Sequence, residues 1–132
     1  MACPFFIPTE KMDNSSHPHP ARLPLGAPWK GKCSAAQHMP SDLDLRDHCN
    51  LGYPKCNHLP PERHADAVRF VVAASSDSKV TLRYACELNY RPADCGTLEF
   101  DRHQNTWAKQ HSDPRLQRMA ECYLEAFFSR RA

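Results

Sequence analysis

From Ala65 onward apolar and polar positions alternate with a period of two, the spacing of strands that bury one face. Val68, Phe70, Val72 and Ala74 form one row against Arg69, Val71 and Ala73, which predicts a first strand. Ser75-Ser76-Asp77-Ser78 follows as a turn, because short polar side chains bond their own backbone there. A second strand carries Val80, Leu82, Tyr84, Cys86 and Leu88 on one face and Thr81, Arg83, Ala85 and Glu87 on the other. Asn89 to Gly96, with Pro92 and Gly96 inside it, is expected as a longer loop, and Thr97-Leu98-Glu99-Phe100-Asp101 as the third strand. Short connections favour antiparallel pairing.

Beyond Asp113 the period becomes helical. Leu116, Met119, Ala120, Tyr123, Leu124, Phe127 and Phe128 recur as one apolar stripe along about four turns. Asp113 suits the N-cap and Pro114 the first helical position. The stripe is expected to pack on the sheet's apolar face; a docking surface built on Phe127 and Phe128 is the alternative. On the other sheet face Arg69, Arg83, Glu87 and Glu99 are placed for cross-strand ion pairs at a solvated surface.

The first 64 residues follow no such pattern. Ten of the twelve prolines fall before residue 62, and six of the eight histidines before residue 65. Proline fixes φ and lacks an amide donor, so this stretch excludes long helices and central strands. The expected fold is therefore α+β: a three-stranded antiparallel sheet packed by a C-terminal helix, preceded by an irregular proline-rich, four-cysteine N-terminal half. The chain reads as a single domain, with residues 1–64 as the irregular region and 65–132 as the β-meander and helix.

Such a half has too little apolar surface to offset about 1–2 kcal/mol of backbone entropy per ordered residue. It is either disordered or held by a cross-link. Cys3, Cys33, Cys49 and Cys56, spaced C-x29-C-x15-C-x6-C, supply four soft ligands that a metal would gather. Ser41, with Asp44 three residues on, would cap a short helix running to about Cys49 and ending at Asn50-Leu51-Gly52. Tyr53-Pro54 then turns the chain to deliver Cys56. Structural zinc sites present close C-x2–4-C pairs, which are missing here, whereas well-separated cysteines, one followed by proline as in Cys3-Pro4, suit an iron–sulfur cluster. A [4Fe-4S] cluster on these four residues is the first expectation, zinc the alternative, and no metal the third. His38, His48 and His58 are substitute ligands, and His17-Pro18-His19-Pro20 reads as an extended exposed loop. Cys86 and Cys122 read as small buried hydrophobes. Cys95, in the loop before the third strand, approaches Cys86, although a reducing compartment disfavours a bridge.

Several of these segments together resemble a known group. Cys3-Pro4-Phe5-Phe6, Leu23-Pro24-Leu25-Gly26 leading to Gly31-Lys32-Cys33, Cys49-Asn50-Leu51-Gly52-Tyr53 to Cys56, and Asp66-Ala67-Val68-Arg69-Phe70 are similar to segments of small uncharacterised bacterial cysteine-containing proteins. The likeness runs through Gly96-Thr97-Leu98-Glu99-Phe100 to the final helix. It implies a stand-alone bacterial protein whose first four cysteines are its functional feature, and it brings no substrate.

Composition narrows the function. The 132 residues are 41% hydrophobic and 24% charged with net charge +2, ordinary for a globular protein. No apolar run nears the roughly 18 residues of a membrane span, and the N-terminus lacks a signal-peptide pattern, so a cytoplasmic location is expected. Seven cysteines are an odd number and too few for a secreted disulfide scaffold. Lys and Arg are scattered, so nucleic acid is not an expected partner. There is no P-loop, dinucleotide-binding glycine fingerprint, nucleophile elbow or His-Glu-x-x-His, and His111-Ser112-Asp113 borders a helix cap rather than forming a triad. No catalytic role is indicated. The expected function is a small cytoplasmic accessory protein that binds a partner protein through an N-terminal half ordered by the cysteine centre. A one-electron redox protein using that cluster, a zinc-stabilised interaction module and a thiol redox sensor are the alternatives.

Overall fold

The computed structural model describes residues 2–12, 23–35, 49–50, 63 and 65–131. They hold six strands and one long helix: β1 (Phe6–Lys11), β2 (Trp29–Cys33), β3 (Ala67–Ser75), β4 (Lys79–Leu88), β5 (Arg91–Asp101), β6 (Thr106–Lys109) and α1 (Pro114–Arg131). β3 to β6 form a four-stranded antiparallel meander, and β1 pairs β2 in a separate two-stranded sheet.

The turns explain the meander. Ser76 Oγ accepts from the amides of Ser78 at 3.3 Å and Lys79 at 3.2 Å, closing the β3–β4 connection where the serine run predicts it. The stretch expected as a loop from Asn89 to Gly96 is instead almost all strand. Only Asn89 and Tyr90, with φ of 53° and 65°, make the turn, the left-handed pair whose twist matches a two-residue hairpin. Pro92 is tolerated in β5 because the register slips beside it: Glu87 lies opposite Pro92 while Cys86 lies opposite Asp94. Gly96 faces the Tyr84 ring, which covers it.

The expected three-stranded sheet is thus corrected to four strands. The fourth, β6, is a Thr-Trp-Ala-Lys segment too short to show a period. Asp101 sets it up, its Oδ1 accepting from the amides of His103 at 2.9 Å and Gln104 at 3.1 Å, and Asn105 at φ 55° completes the turn.

The helix forms as its sequence dictates. Asp113 Oδ1 accepts from the Arg115 amide at 2.9 Å, and Gln117 Oε1 reaches back to the His111 amide at 2.8 Å. Leu116, Met119, Ala120, Leu124 and Phe127 are buried, with Tyr123 and Phe128 at the margin of the same cluster. Tyr123 meets Phe70 at 5.9 Å between ring centres, and Phe128 meets Phe100 at 6.0 Å. The stripe is therefore core, each large member contributing about 1.5–3 kcal/mol by burial.

The expectation of a wholly irregular first half also fails, because β1 and β2 pair within it. Proline is excluded from central strands, but each strand of a two-stranded ribbon is an edge. Pro8 lies opposite Gly31, where a Cβ would overlap the Ile7 carbonyl, and the ladder shifts before Glu10. Pro24 opens a turn that closes with the Gly26 amide on the Leu23 carbonyl at 2.8 Å. Both halves share one core: Ala2, Phe6, Leu25, Ala27 and Trp29 belong to the cluster that holds Leu82, Leu98 and Met119. The seam is polar as well. Ala2 exchanges backbone hydrogen bonds with Val68 at 2.7 and 2.8 Å, and Arg118 Nε donates to the Pro8 carbonyl at 2.9 Å. The short helix expected from Ser41 to Cys49, the turn at Tyr53-Pro54 and the His17-Pro18-His19-Pro20 loop lie outside the described residues, apart from Cys49 itself.

Candidate functional site

Three of the four cysteines expected as ligands are described. Cys3 begins a Cys3-Pro4-Phe5-Phe6 turn in which the Phe6 amide donates to the Cys3 carbonyl at 3.1 Å. The Cys3 amide donates in turn to the Cys49 carbonyl at 3.2 Å, so two cysteines far apart in sequence become backbone neighbours, both buried. Asn50 holds this contact in place. Its side chain accepts from the Trp29 amide and donates to the Trp29 carbonyl, both at 2.9 Å, imitating one rung of a β-ladder on the open side of β2. Cys33 ends β2 opposite Phe6 and is half-buried. Cys56, His38, His48 and His58 lie outside the described residues. The structure thus brings Cys3 and Cys49 together and places Cys33 on the strand paired with the end of the Cys3 turn. Among the described residues no three His, Cys, Asp or Glu side chains gather as a metal-binding group.

The remaining cysteines behave differently. Burial pushes the Cys86 thiol up to about 11 and the Cys122 thiol up to about 12, so both stay protonated at neutral pH. Cys95 lies in β5 opposite Ala85, not in a loop, and one position out of register with Cys86. Neighbours along a strand point to opposite faces, which is why Cys86 is buried, Cys95 exposed, and no disulfide forms among the described residues. On the outer face Glu99 pairs with Lys79 at 3.5 Å, an exposed contact of small energetic weight.

Beside the Cys3 turn the structure opens a cleft of about 420 Å³, which the sequence reasoning missed. Pro4, Phe5, Ala65 and Cys86 line it together with Leu116 from the first turn of α1. Its charged lining is Arg63, Asp94, Asp113 and Arg115, joined by His111.

Most of this charge is already closed in pairs. Arg115 Nη2 donates to Asp113 Oδ2 at 3.3 Å and Nη1 to Ser34 Oγ at 3.3 Å, while its guanidinium lies 4.9 Å from the centre of the Phe5 ring. Burial alone would raise the Asp113 carboxyl, but the Arg115 side chain and amide outweigh it and hold the group below its ordinary value. Arg63 Nε bonds the buried Asp66, which also accepts from the Asn89 amide at 2.8 Å. These bonds again overcome burial and lower the Asp66 carboxyl. His111 Nδ1 accepts from the Asp113 amide at 2.9 Å, and its ring meets Tyr84 edge-on at 4.7 Å. Burial, followed by the charge of Asp94, raises the Tyr84 hydroxyl. Of these residues only the Asp113 cap carries a signal in the sequence. The others lie far apart along the chain, and it is the β4–β5 register and the seam with the first half that gather them.

No family model matches the chain, and no curated protein or solved structure matches it either. Among the described residues no helix is long and apolar enough to cross a membrane.

Proposed function

We propose that this chain is a small cytoplasmic accessory protein that binds a partner protein, and that Cys3, Cys33, Cys49 and Cys56 hold a metal centre that orders its first half. The group is a [4Fe-4S] cluster in this reading, with zinc as the alternative. The observation that carries it is the backbone bond between Cys3 and Cys49, with both residues buried and Asn50 clamped to β2 beside them. Two buried cysteines joined through their backbones in a loop-rich segment are a start on a soft-ligand site, and Cys33 sits on the strand paired to the same turn. Ligation would add a cross-link to the β1–β2 ladder and the shared core that already hold this segment.

Purification of the full chain without oxygen, followed by elemental analysis and a visible spectrum, tests the proposal. Iron and acid-labile sulfide, lost together in Cys3→Ser and Cys49→Ser, support the cluster; reversible bleaching by dithionite would add an electron-transfer role. One zinc per chain, lost in the same variants, keeps the centre and makes it structural. Cys33→Ser and Cys56→Ser should release the metal and make residues 1–61 more sensitive to protease. Metal-free protein with undiminished protease resistance in all four variants would sink the reading.

A further inference from the structure

We propose that the cleft between the Cys3 turn and the first turn of α1 binds a small organic cation, an ammonium or amidinium group carried on an apolar body. The cleft's volume of about 420 Å³ is that of a small-molecule site rather than a packing defect. Its charge balance selects the ligand. Arg115 is engaged by Asp113, Ser34 and the Phe5 ring, and Arg63 by Asp66, so neither arginine offers an open positive site. The helix N-terminus, often an anion site, is already filled by the Asp113 carboxylate.

What remains is Asp94. It lines the cleft from β5 and accepts a hydrogen bond from the Tyr84 side chain, and among the described residues no cation pairs with it. Its negative charge is felt within the cleft, where it raises both the Tyr84 hydroxyl and the Cys86 thiol after burial has done so. His111 lines the cleft as well, but its Nδ1 is taken up by the Asp113 amide, so it offers the ligand no second acceptor there. Phe5, Pro4 and Leu116 complete the site with an apolar surface for the ligand's body. A carboxylate without a counter-ion beside such walls is matched by a positive group on an apolar frame. An anion would meet Asp94 with both arginines already neutralised.

Isotope-labelled full-length protein titrated with benzamidinium, and separately with phenylacetate, tests the assignment by amide chemical shifts. Both probes carry one phenyl ring, and they differ in charge. Benzamidinium should give saturable shifts at Phe5, Tyr84, Asp94 and His111, and phenylacetate should bind about tenfold more weakly or worse. Asp94→Asn, on an exposed strand position, should weaken benzamidinium by about tenfold and, by relieving repulsion, tighten phenylacetate if it changes it at all. Equal affinity for the two probes, shifts that map elsewhere, no saturable shift, or undiminished benzamidinium affinity in a folded Asp94→Asn would each overturn the proposal. Should that variant misfold, the contrast between the probes on the unaltered protein decides by itself.

Discussion

Asn50→Ala is the sharpest probe of how the first half is held. Asn50 is 3% exposed, and its amide makes two bonds of 2.9 Å to the backbone of Trp29, itself 2% exposed. Alanine removes both and brings no water, so a buried N–H and a buried C=O lose their partner. Each orphaned group costs about 1–3 kcal/mol, and the pair therefore costs about 2–6 kcal/mol. Against a typical total of about 5–15 kcal/mol, that is a large share of the stability. Urea unfolding followed by linear extrapolation reads it, with the midpoint falling and the slope unchanged. Asn50→Asp sharpens the test: it keeps an acceptor for the Trp29 amide, loses the donor to the Trp29 carbonyl, and places a charge in a buried site. It should destabilise at least as much as alanine. A loss below about 0.5 kcal/mol for alanine would show that the side chain does not stand in for a strand, because even one net hydrogen bond is worth that much. The same variant should weaken retention of any metal, since Asn50 positions the Cys49 carbonyl that receives the Cys3 amide.

Three further outcomes are expected. Phe127→Ala should cost about 3–5 kcal/mol in chemical unfolding, and a cost near zero would return that helix face to the role of a docking surface. Arg118→Ala should remove the bonds to the Pro8 and Thr9 carbonyls, cost about 1–2 kcal/mol, and make β1 the first site of proteolytic cleavage; an unchanged cleavage map would deny the seam its role. Acid should destabilise the protein through Asp66 and Asp113, whose folded values lie below 3.8. A depressed folded value means that the stabilisation is present above the unfolded value and is lost as pH falls through the folded one. Stability should therefore hold near neutral pH and drop as pH falls below about 4, and Asp66→Asn should narrow that drop; identical acid profiles would refute the linkage.

The C-terminal half was legible because its information is periodic and local. The alternation from Val68 to Leu88 and the stripe from Leu116 to Phe128 each repeat often enough to set a face, and Asp113-Pro114 marks a helix start by chemistry that needs no distant partner. The sulfur positions and the proline density were equally visible. Tertiary structure decided the rest. Whether Pro92 sits in a loop or a strand depends on a register slip across β4, and whether Pro8 can join a sheet depends on that sheet having two strands. β6 exists because Asp101 folds the chain back onto β5, not through any period of its own. The Cys3–Cys49 contact, the Asn50 clamp and the cleft around Asp94 all join residues whose sequence separation hides their proximity. Periodicity records which side of an element is buried; it carries no record of which distant backbone groups will complete one another's hydrogen bonds, and that is settled only when the two halves close on a common core.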